Sequence, residues 1–514
     1  MSSTVFIFAS LCLVVSYVVL QSTRKSQPPY PPGPPPKPII GNALDIPFKK
    51  PWLKYLEWSK RFNSGIIHLC ALRHHIVVLN KMEDVAELME RRSSKYSGRP
   101  ASPISKLLDI EMMTALLPYG STLRKHRKFL EENLRKDVVH RYRQLVTEKV
   151  HIFMEQLLQD PVGFDEHCNT LSTSVSLATT FGYDVIAGKK KDPFVEAGQY
   201  AIASTSEIIL PGRTLVVVLP FLRHIPPWFP GAATQRFCAQ IRDAYVRYRI
   251  GSFEYVKRNM AAGIAKDCIA KRLLERSDLS TGPFGDEEIL TNAVLNLYVA
   301  AVETTQIALV IFILAMTVHP LEQHRAQHEI DRVIGSDRLP TFDDRSSLPY
   351  VEALYREVLR WRPIAPLAVP HSTDADDALL NSVPSRLHCL AITRDSTTYP
   401  DPEEFRPERF FKEDGTLIDD NIRYVFGFGR RICPGEHMAD LVMWLMMASV
   451  LAMFNISKAK DEDGNVIEVD ASAESFTDAI GSRPLPFKCS ITPRSHAESL
   501  IRDAADIALE KLNV

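Results

Sequence analysis

"FGFGRRICPGEHMA", residues 426–439, places three glycines and two arginines around a single cysteine, Cys433. Glycine lacks a Cβ atom, so Gly427, Gly429 and Gly435 allow positive φ and let the backbone come close to a flat partner. No second cysteine or histidine pair stands nearby to share a disulfide or a zinc ion with this thiol. The stretch therefore indicates a thiol that is presented by a tight loop.

The apolar run that follows has helical spacing and predicts a helix beginning at the loop. Pro434 suits the first turn of that helix. Cys433 would then lie at a helix N-terminus, where the dipole and the free N–H groups favour a thiolate. An axial ligand to iron fits this pattern, and the alternatives are a buried inert cysteine or a catalytic nucleophile with a distant histidine.

The composition is that of a folded protein with a sizeable core. The chain has 514 residues, is 45% apolar and 24% charged, and carries a formal net charge of −1. Such balanced charge gives no reason to expect a nucleic acid as partner. The eight cysteines are scattered without a CxxC pair, which disfavours structural zinc and indicates free thiols in a reducing compartment.

The N-terminus predicts a membrane anchor. Thr4–Leu20 carries no charge, and Arg24 and Lys25 follow it. Roughly 20 apolar residues span a bilayer, and positive charge after the segment keeps its C-terminal side cytoplasmic. A cleaved signal peptide is the alternative, although it would carry its charge before the apolar run. We assign residues 1–26 to the anchor and its flank, and the proline-rich residues 27–42 to a semi-rigid hinge.

The remaining chain predicts one mostly α domain with a minor β part, residues 43–495. Helical spacing occurs at Pro51–Phe62, Leu123–Leu134, His140–Gln159 and Ile289–Pro320. Short β-like pieces occur at Ile66–Leu72, His75–Asn80 and Phe487–Pro493. Residues 496–514 form a charged tail that predicts a solvated amphipathic helix.

One helix is long and apolar enough to span a membrane, at Ile289–Leu314. Its middle holds Glu303, Thr304 and Thr305. A charged residue at the centre of a lipid-exposed helix is costly, so this segment predicts a core helix of a large soluble body.

Four motifs together resemble the cytochrome P450 family of haem-thiolate monooxygenases. The loop matches the family pattern Phe-x-x-Gly-x-Arg-x-Cys-x-Gly, and the other matches are an ExxR pair, a PERF segment and an ETT stretch in the long helix. The matching residues, in that order, are Phe426, Gly429, Arg431, Cys433 and Gly435, then Glu357 and Arg360, then Arg409, then Glu303 and Thr304. The resemblance covers essentially the whole chain, anchor and hinge included. It implies the cytochrome P450 fold.

The resemblance implies a role for each motif. Cys433 would be the axial ligand of a haem b iron, and Glu357, Arg360 and Arg409 would form a structural triad behind the haem. Glu303 and Thr304 would deliver protons during reaction with O2. Substrates would gain one oxygen atom from O2, by hydroxylation or epoxidation.

Haem propionates would be held by a helix after "PYG" and by the segment after ExxR. The residues at these places are Arg127, the weaker candidates Arg124 and Tyr119, and His371. Each is a donor suited to carboxylates. The family usually has Trp where this chain has Leu123, which removes one N–H donor. A second departure is Ala301, which stands where glycine is common.

The resemblance further implies partners and a compartment. Electrons would come from NADPH through a membrane-bound cytochrome P450 reductase, with cytochrome b5 as a second donor, on the endoplasmic reticulum membrane. A basic cluster suits an acidic reductase face, or is simply a solvated helix face; it comprises Arg124, Lys125, Arg127, Lys128 and Arg430.

The substrate is expected to be a lipophilic small molecule, because the candidate contact regions are mainly apolar. These regions are Ala101–Leu117, Ile202–Gly212, Asn296–Val302, Ile364–Val369 and Phe476–Ile480. Several other stretches are most similar to fungal microsomal members of secondary metabolism, of the O-methylsterigmatocystin oxidoreductase-like kind. Terpenoids, polyketides and indolic compounds are the expected substrate classes.

One segment departs strongly from the family. Asp376–Asp395 is shorter than the β-hairpin that the family carries there, and only Val383-Pro384 remains of its usual motif. We hypothesise an incorrectly assigned exon boundary or a damaged enzyme, which sequencing of the transcript would distinguish. The alternatives to a monooxygenase are an O2-independent isomerase or dehydratase, and a haem-binding protein without turnover because segment 378–392 is shortened.

Overall fold

The computed structural model describes most of the chain. The described residues are 30–47, 49–71, 74–185, 192–209, 214–217, 219–276, 279, 285–373, 385–387, 389–420 and 422–512. The predicted anchor, residues 1–26, lies outside them, as do residues 27–29 of the hinge.

The described chain is mostly helical, as the sequence predicts. The helices are α1 Pro51–Arg61, α2 Met82–Val85, α3 Ser93–Tyr96, α4 Pro103–Leu108, α5 Ser121–Leu134, α6 Arg143–Gln159, α7 Phe164–Phe181, α8 Pro193–Ile208, α9 Ala233–Ala261, α10 Ile269–Leu274, α11 Asp286–Val318, α12 Pro320–Val333, α13 Pro349–Trp361, α14 Cys389–Thr393, α15 Glu436–Met453 and α16 Ala497–Leu512. A π-helical turn, Ala86–Arg91, continues α2. Short 3₁₀ turns connect several elements: Val139–Tyr142, Pro161–Gly163, Pro220–His224, Phe342–Ser347, Pro407–Phe410, Arg423–Phe426, Gly429–Arg431 and Ala473–Ser475.

The β part consists of two small sheets in the described residues. The strands are β1 Ile66–Ala71, β2 His74–Leu79, β3 Ser385–Leu387, β4 Phe454–Lys458 and β5 Cys489–Pro493. β1 and β2 pair antiparallel, β3 adds to β2 in parallel, and β4 pairs antiparallel with β5. The strands expected near the two ends of the domain are therefore present.

The long helix α11 lies in the core of the body. Its C-terminal half is buried on every face, from Ile307 to Met316, and packs in one cluster with α6, α13 and α15. By length and composition, two described helices are apolar enough to cross a membrane, α11 and α15. Most of each apolar window is buried inside the fold, so the prediction of a core helix for Ile289–Leu314 is confirmed.

The C-terminal tail differs from the prediction. Its helix, α16, forms where expected and is amphipathic, but one face is packed against α6 rather than solvated. Ala497, Ile501, Ala505 and Ala508 are buried, and Lys511 pairs with a glutamate of α6. The small alanine side chains allow the two helices to approach closely, which composition alone does not reveal.

The shortened segment leaves only short elements in the described residues. β3 has three residues and pairs with Val77–Leu79 of β2, and the buried helix α14 follows at Cys389. Residues 374–384 and 388, where the family hairpin is expected, lie outside the described part.

The hinge rests on the first hairpin. The ring of Tyr30 stacks on His68 and His75, with centroids 4.2 and 4.7 Å away. The amide of His68 donates to the carbonyl of Pro32 at 3.0 Å. The described part of the proline-rich stretch is thereby fixed to the β1–β2 sheet.

Candidate active site

The cysteine loop is a tight, internally bonded turn. The amide of Cys433 donates to the carbonyl of Phe426 at 2.8 Å. Gly427 and Gly429 have φ of 92° and 50°, a region that L side chains rarely adopt. A Cβ on Gly429 would lie 2.2 Å from the carbonyl oxygen of Met89. Glycine is therefore required at residue 429 for both conformation and space.

The helix after the loop begins later than the sequence predicts. α15 starts at Glu436 with Gly435 as its N-cap, so Pro434 precedes the helix instead of occupying its first turn. Burial raises the pKa of the Cys433 thiol, while the Gly435 amide and the Arg127 guanidinium act in the opposite direction. Burial thus acts against the effect expected from a helix N-terminus, and Cys433 stands ahead of helix α15.

Three guanidinium groups converge on this loop. Arg431 donates to the carbonyls of Ser97 at 2.8 Å and Leu117 at 2.6 Å. Arg127 donates to the carbonyl of Ile432 at 2.5 Å. The third is Arg99, which lies close enough to Arg431 for the two charges to interact.

In the described part of the chain, the hydrogen bonds of this cluster go to backbone carbonyls instead of carboxylates. Arg99 donates to the carbonyls of Ala115, Val369 and Pro370. Among the described residues, none of the three arginines forms an ion pair with Asp or Glu. Burial and the neighbouring cation lower the pKa of Arg99 to about 9 and that of Arg431 to about 10. Such a cluster is electrostatically costly unless an anionic ligand binds there.

This donor set fits haem. The cofactor offers an iron for the Cys433 sulfur and two carboxylates for the cations Arg127, Arg431 and Arg99. Arg99 was not predicted, because one arginine in "YSGRP" cannot be told by sequence from a surface arginine. Only the fold brings it beside Arg431, since the two residues are separated by 331 intervening residues.

His371 is placed beside the cluster, but not as a cationic donor. It is buried, and its Nδ1 lies 2.7 Å from the carbonyl oxygen of Tyr96. Burial, together with Arg99 and Arg431, lowers its pKa to about 3, so the ring is neutral. With Nδ1–H donating to Tyr96, Nε2 carries a lone pair and would need a proton before it could donate to a carboxylate.

Two other predicted basic residues, Arg124 of α5 and Arg430 of the loop, turn toward Tyr119 instead of joining the three converging arginines. The guanidiniums of Arg124 and Arg430 lie over the ring of Tyr119, 5.9 and 5.2 Å from its centroid. Arg430 also contacts the Tyr119 hydroxyl. Arg124 is exposed, whereas Arg127 points to the loop, so the basic cluster divides into an inner cation and an outer surface group.

The ExxR pair and the PERF arginine meet in one buried cluster. Glu357 and Arg360 are fully buried, and Arg360 Nε and Nη2 donate to the Glu357 carboxylate at 2.6 and 2.8 Å. Arg409 Nε donates to the same carboxylate at 3.2 Å, and the amide of Arg406 at 2.7 Å. Arg360 also donates to the carbonyls of Thr393, Pro402 and Glu404. This network fixes the loop before the PERF turn to helix α13.

The acid and the alcohol of the ETT stretch lie at the middle of α11. The Thr304 hydroxyl donates to the carbonyl of Ala300 at 2.8 Å, and its side chain is exposed. Glu303 is half-buried and accepts from the Ser206 hydroxyl at 2.6 Å. α11 continues through Ala301, whose carbonyl accepts from Ser172.

A cavity of about 860 Å³ reaches Glu303 from the surface. It borders two of the predicted substrate regions. Ser206 and Glu207 belong to the region Ile202–Gly212, and Phe476 and its neighbours belong to the region Phe476–Ile480. Its lining is mixed rather than mainly apolar, with charged side chains of both signs: Lys49, Lys50, Lys54, Glu57, Glu207, Glu303, Glu474, Asp478 and Arg483.

Comparisons with known proteins identify the family. The sequence model described as "Cytochrome P450" matches residues 31–475. Cytochrome P450 monooxygenase 98 of Postia placenta is 35% identical over 95% of each chain. Cytochrome P450 monooxygenase ple1 of Rhodocybe pseudopiperita is 36% identical over 94% of this chain and 93% of its own. Tryptamine 4-monooxygenase of Psilocybe cyanescens is 31% identical over 94% of this chain and 96% of its own. The chain belongs to the cytochrome P450 family, whose members hold haem through a cysteine thiolate and react with O2.

Proposed function

We propose that the chain is a microsomal, NADPH- and O2-dependent monooxygenase of fungal secondary metabolism. It inserts one oxygen atom from O2 into a C–H or C=C bond of a lipophilic small molecule. The observation that carries the proposal is the cluster of Arg99, Arg127 and Arg431 beside Cys433. A thiol and three half-buried cations, which form no ion pair with a carboxylate among the described residues, together match an iron ligand and two propionates.

The balanced reaction is RH + O2 + NADPH + H⁺ → ROH + H2O + NADP⁺. Haem bound through Cys433 supplies the oxidising chemistry, since a thiolate ligand favours O–O cleavage. The protein contributes the proton donors Glu303 and Thr304 and a core that excludes water. Thr304 suits this task because its hydroxyl is exposed and keeps lone pairs free after donating to Ala300.

The substrate class rests on the candidate contact regions and on the relatives. Phe476 and Leu485 offer apolar surface at the cavity, and Tyr298 and Val302 of α11 pack in the adjoining core. One relative is named for tryptamine, an indolic amine. Terpenoids, polyketides and indolic compounds are therefore the substrates to test first.

The proposal includes an electron supply and a location. Electrons from NADPH pass through a membrane-bound cytochrome P450 reductase, with cytochrome b5 as a second donor. They enter at the outer surface group around Tyr119. Arg124, Lys128 and Arg430 are exposed there. The anchor, residues 1–26, holds the protein in the endoplasmic reticulum membrane by a single span, with the catalytic domain cytoplasmic.

The test is spectroscopic and then catalytic. The full-length protein, expressed with haem supply and reduced under carbon monoxide, should show the red-shifted band of a thiolate ligand, and Cys433→Ser should lose it. With reductase and NADPH, it should consume O2 and oxidise a member of a metabolite panel. Absence of the band in the native protein would overturn the proposal.

A second function is favoured by the short β3 and the helix α14 that follows it. These elements belong to the shortened segment Asp376–Asp395, where the resemblance implies a hairpin beside the substrate. A haem-binding protein without monooxygenase turnover, including an O2-independent isomerase or dehydratase, would show the thiolate band but no O2 uptake with any substrate. Restoring a full-length hairpin would then recover O2 uptake only if the shortening is the cause.

A further inference from the structure

A hydrogen bond between two helices fixes the acid of the ETT stretch. The Ser206 hydroxyl, in the last turn of α8, donates to Glu303 Oε2 at 2.6 Å. The two residues are 97 positions apart in sequence and both are half-buried. A hydrogen bond to a carboxylate is stronger than one between neutral groups, so this contact selects one orientation of the Glu303 side chain.

The same two side chains line the cavity of about 860 Å³ that opens to the solvent. Its walls carry charged groups that water solvates readily, including Glu207, the neighbour of Ser206. Several of its cations already have partners: Lys54 pairs with Glu57 at 2.7 Å, and Arg483 with an aspartate of α7. Glu303 is therefore the carboxylate at which water in this cavity meets helix α11.

We propose that Ser206 is a positioning residue, which holds Glu303 in the wall of the cavity so that its carboxylate takes protons from bulk water and passes them to Thr304. The inference deepens the proposed function and rests on it. Thr304 follows Glu303 directly in α11, and its hydroxyl is fixed by the Ala300 carbonyl. The relay thus runs from Glu303, held by Ser206 of α8, to Thr304, held by the Ala300 carbonyl within α11.

The consequence is measurable because NADPH has two fates. Productive turnover is RH + O2 + NADPH + H⁺ → ROH + H2O + NADP⁺. Without controlled proton delivery, the same electrons and protons give O2 + NADPH + H⁺ → H2O2 + NADP⁺. The fraction of NADPH recovered as H2O2 therefore reports proton delivery, independently of how much protein is folded.

The experiment compares Ser206→Ala, Ser206→Thr, Glu303→Gln and the double variant Ser206→Ala/Glu303→Gln. Ser206→Ala should raise the H2O2 fraction about twofold or more and increase the solvent deuterium isotope effect on product formation. Ser206→Thr keeps the hydroxyl and should restore both values. The double variant should behave as Glu303→Gln alone, since Ser206 acts through Glu303. Ser204→Ala, two residues earlier in α8, controls for loss of a hydroxyl.

A second readout needs no turnover. The carboxylate infrared band of Glu303, identified by difference against Glu303→Gln, should shift in Ser206→Ala and not in Ser204→Ala. An unshifted band, or an H2O2 fraction that Ser206→Ala leaves unchanged while the native protein forms product, would overturn the inference alone. A native protein that takes up no O2 would overturn the proposed function as well.

Discussion

Arg127 of α5 donates a hydrogen bond of 2.5 Å to the carbonyl of Ile432, the residue immediately before Cys433. The contact joins segments 305 positions apart. It holds a cation beside the sulfur, and this cation partly offsets the effect of burial on the pKa of the Cys433 thiol. The thiol loop and helix α5 therefore act as one binding unit.

Replacing Arg127 with glutamine should weaken haem binding by about 10- to 100-fold, because a hydrogen bond to a charged group contributes about 1.5–3 kcal/mol. Titration of haem into haem-free protein would measure the affinity. Lys128→Gln removes an exposed cation from the same helix and should leave the affinity unchanged. Equal effects of the two substitutions would show that Arg127 contributes only general positive charge.

The buried triad should be far more sensitive than a surface pair of the same spacing. Glu357→Gln leaves Arg360 and Arg409 without a counter-charge and should destabilise the fold by about 3–5 kcal/mol. Loss of soluble, haem-containing protein and a lower midpoint of thermal unfolding would record this.

The matched control is Glu57→Gln. Glu57 pairs with Lys54 at the same i,i+3 spacing on the exposed face of α1, where such pairs contribute at most about 1 kcal/mol. Similar losses at both sites would contradict the view that burial determines the cost.

Acid should destabilise the protein through His126, which is fully buried and lies 3.0 Å from the Thr114 hydroxyl. Burial lowers its pKa to about 4, below the unfolded value of about 6.5. Between these values the unfolded state binds more protons, so stability falls as the pH falls, by up to about 1.4 kcal/mol per pH unit. Above about pH 6.5 this histidine contributes no pH dependence.

His126→Gln removes the titrating group and keeps a hydrogen-bonding side chain. The variant should show a shallower decline in unfolding midpoint from pH 6.5 to 4 than the native protein, with parallel behaviour from pH 7 to 8. Identical slopes in the acid range would exclude His126 as a source of the acid sensitivity.

The docked C-terminal helix should contribute to stability through its buried face. Ile501 is fully buried, and Ile501→Ala should cost about 2–5 kcal/mol, measured by thermal or denaturant unfolding. Ile507 lies on the same helix and is 57% exposed, so Ile507→Ala should change stability by no more than about 0.5 kcal/mol. A tail that is solvated, as the sequence alone suggests, would show no difference between the two.

Local pattern was sufficient for much of the fold. The helical repeat predicted α1, α5, α6 and α11 to within a few residues, and the short β-like pieces correspond to β1, β2 and β5. These features depend on neighbours in sequence, because helices and hairpins are stabilised by contacts over a few residues. The start of α15 was wrong by two residues, since a turn around Pro434 competes with the first helical turn.

The sequence by itself determined the family, the thiol at Cys433 and the order of the motifs, because these are properties of residue types at fixed spacing. Only the tertiary structure brought Arg99 beside Arg431, left His371 neutral, packed α16 onto α6 and joined Ser206 to Glu303. The physical reason is that burial and charge pairing arise between segments far apart in the chain, whose contacts depend on how the helices pack as a whole.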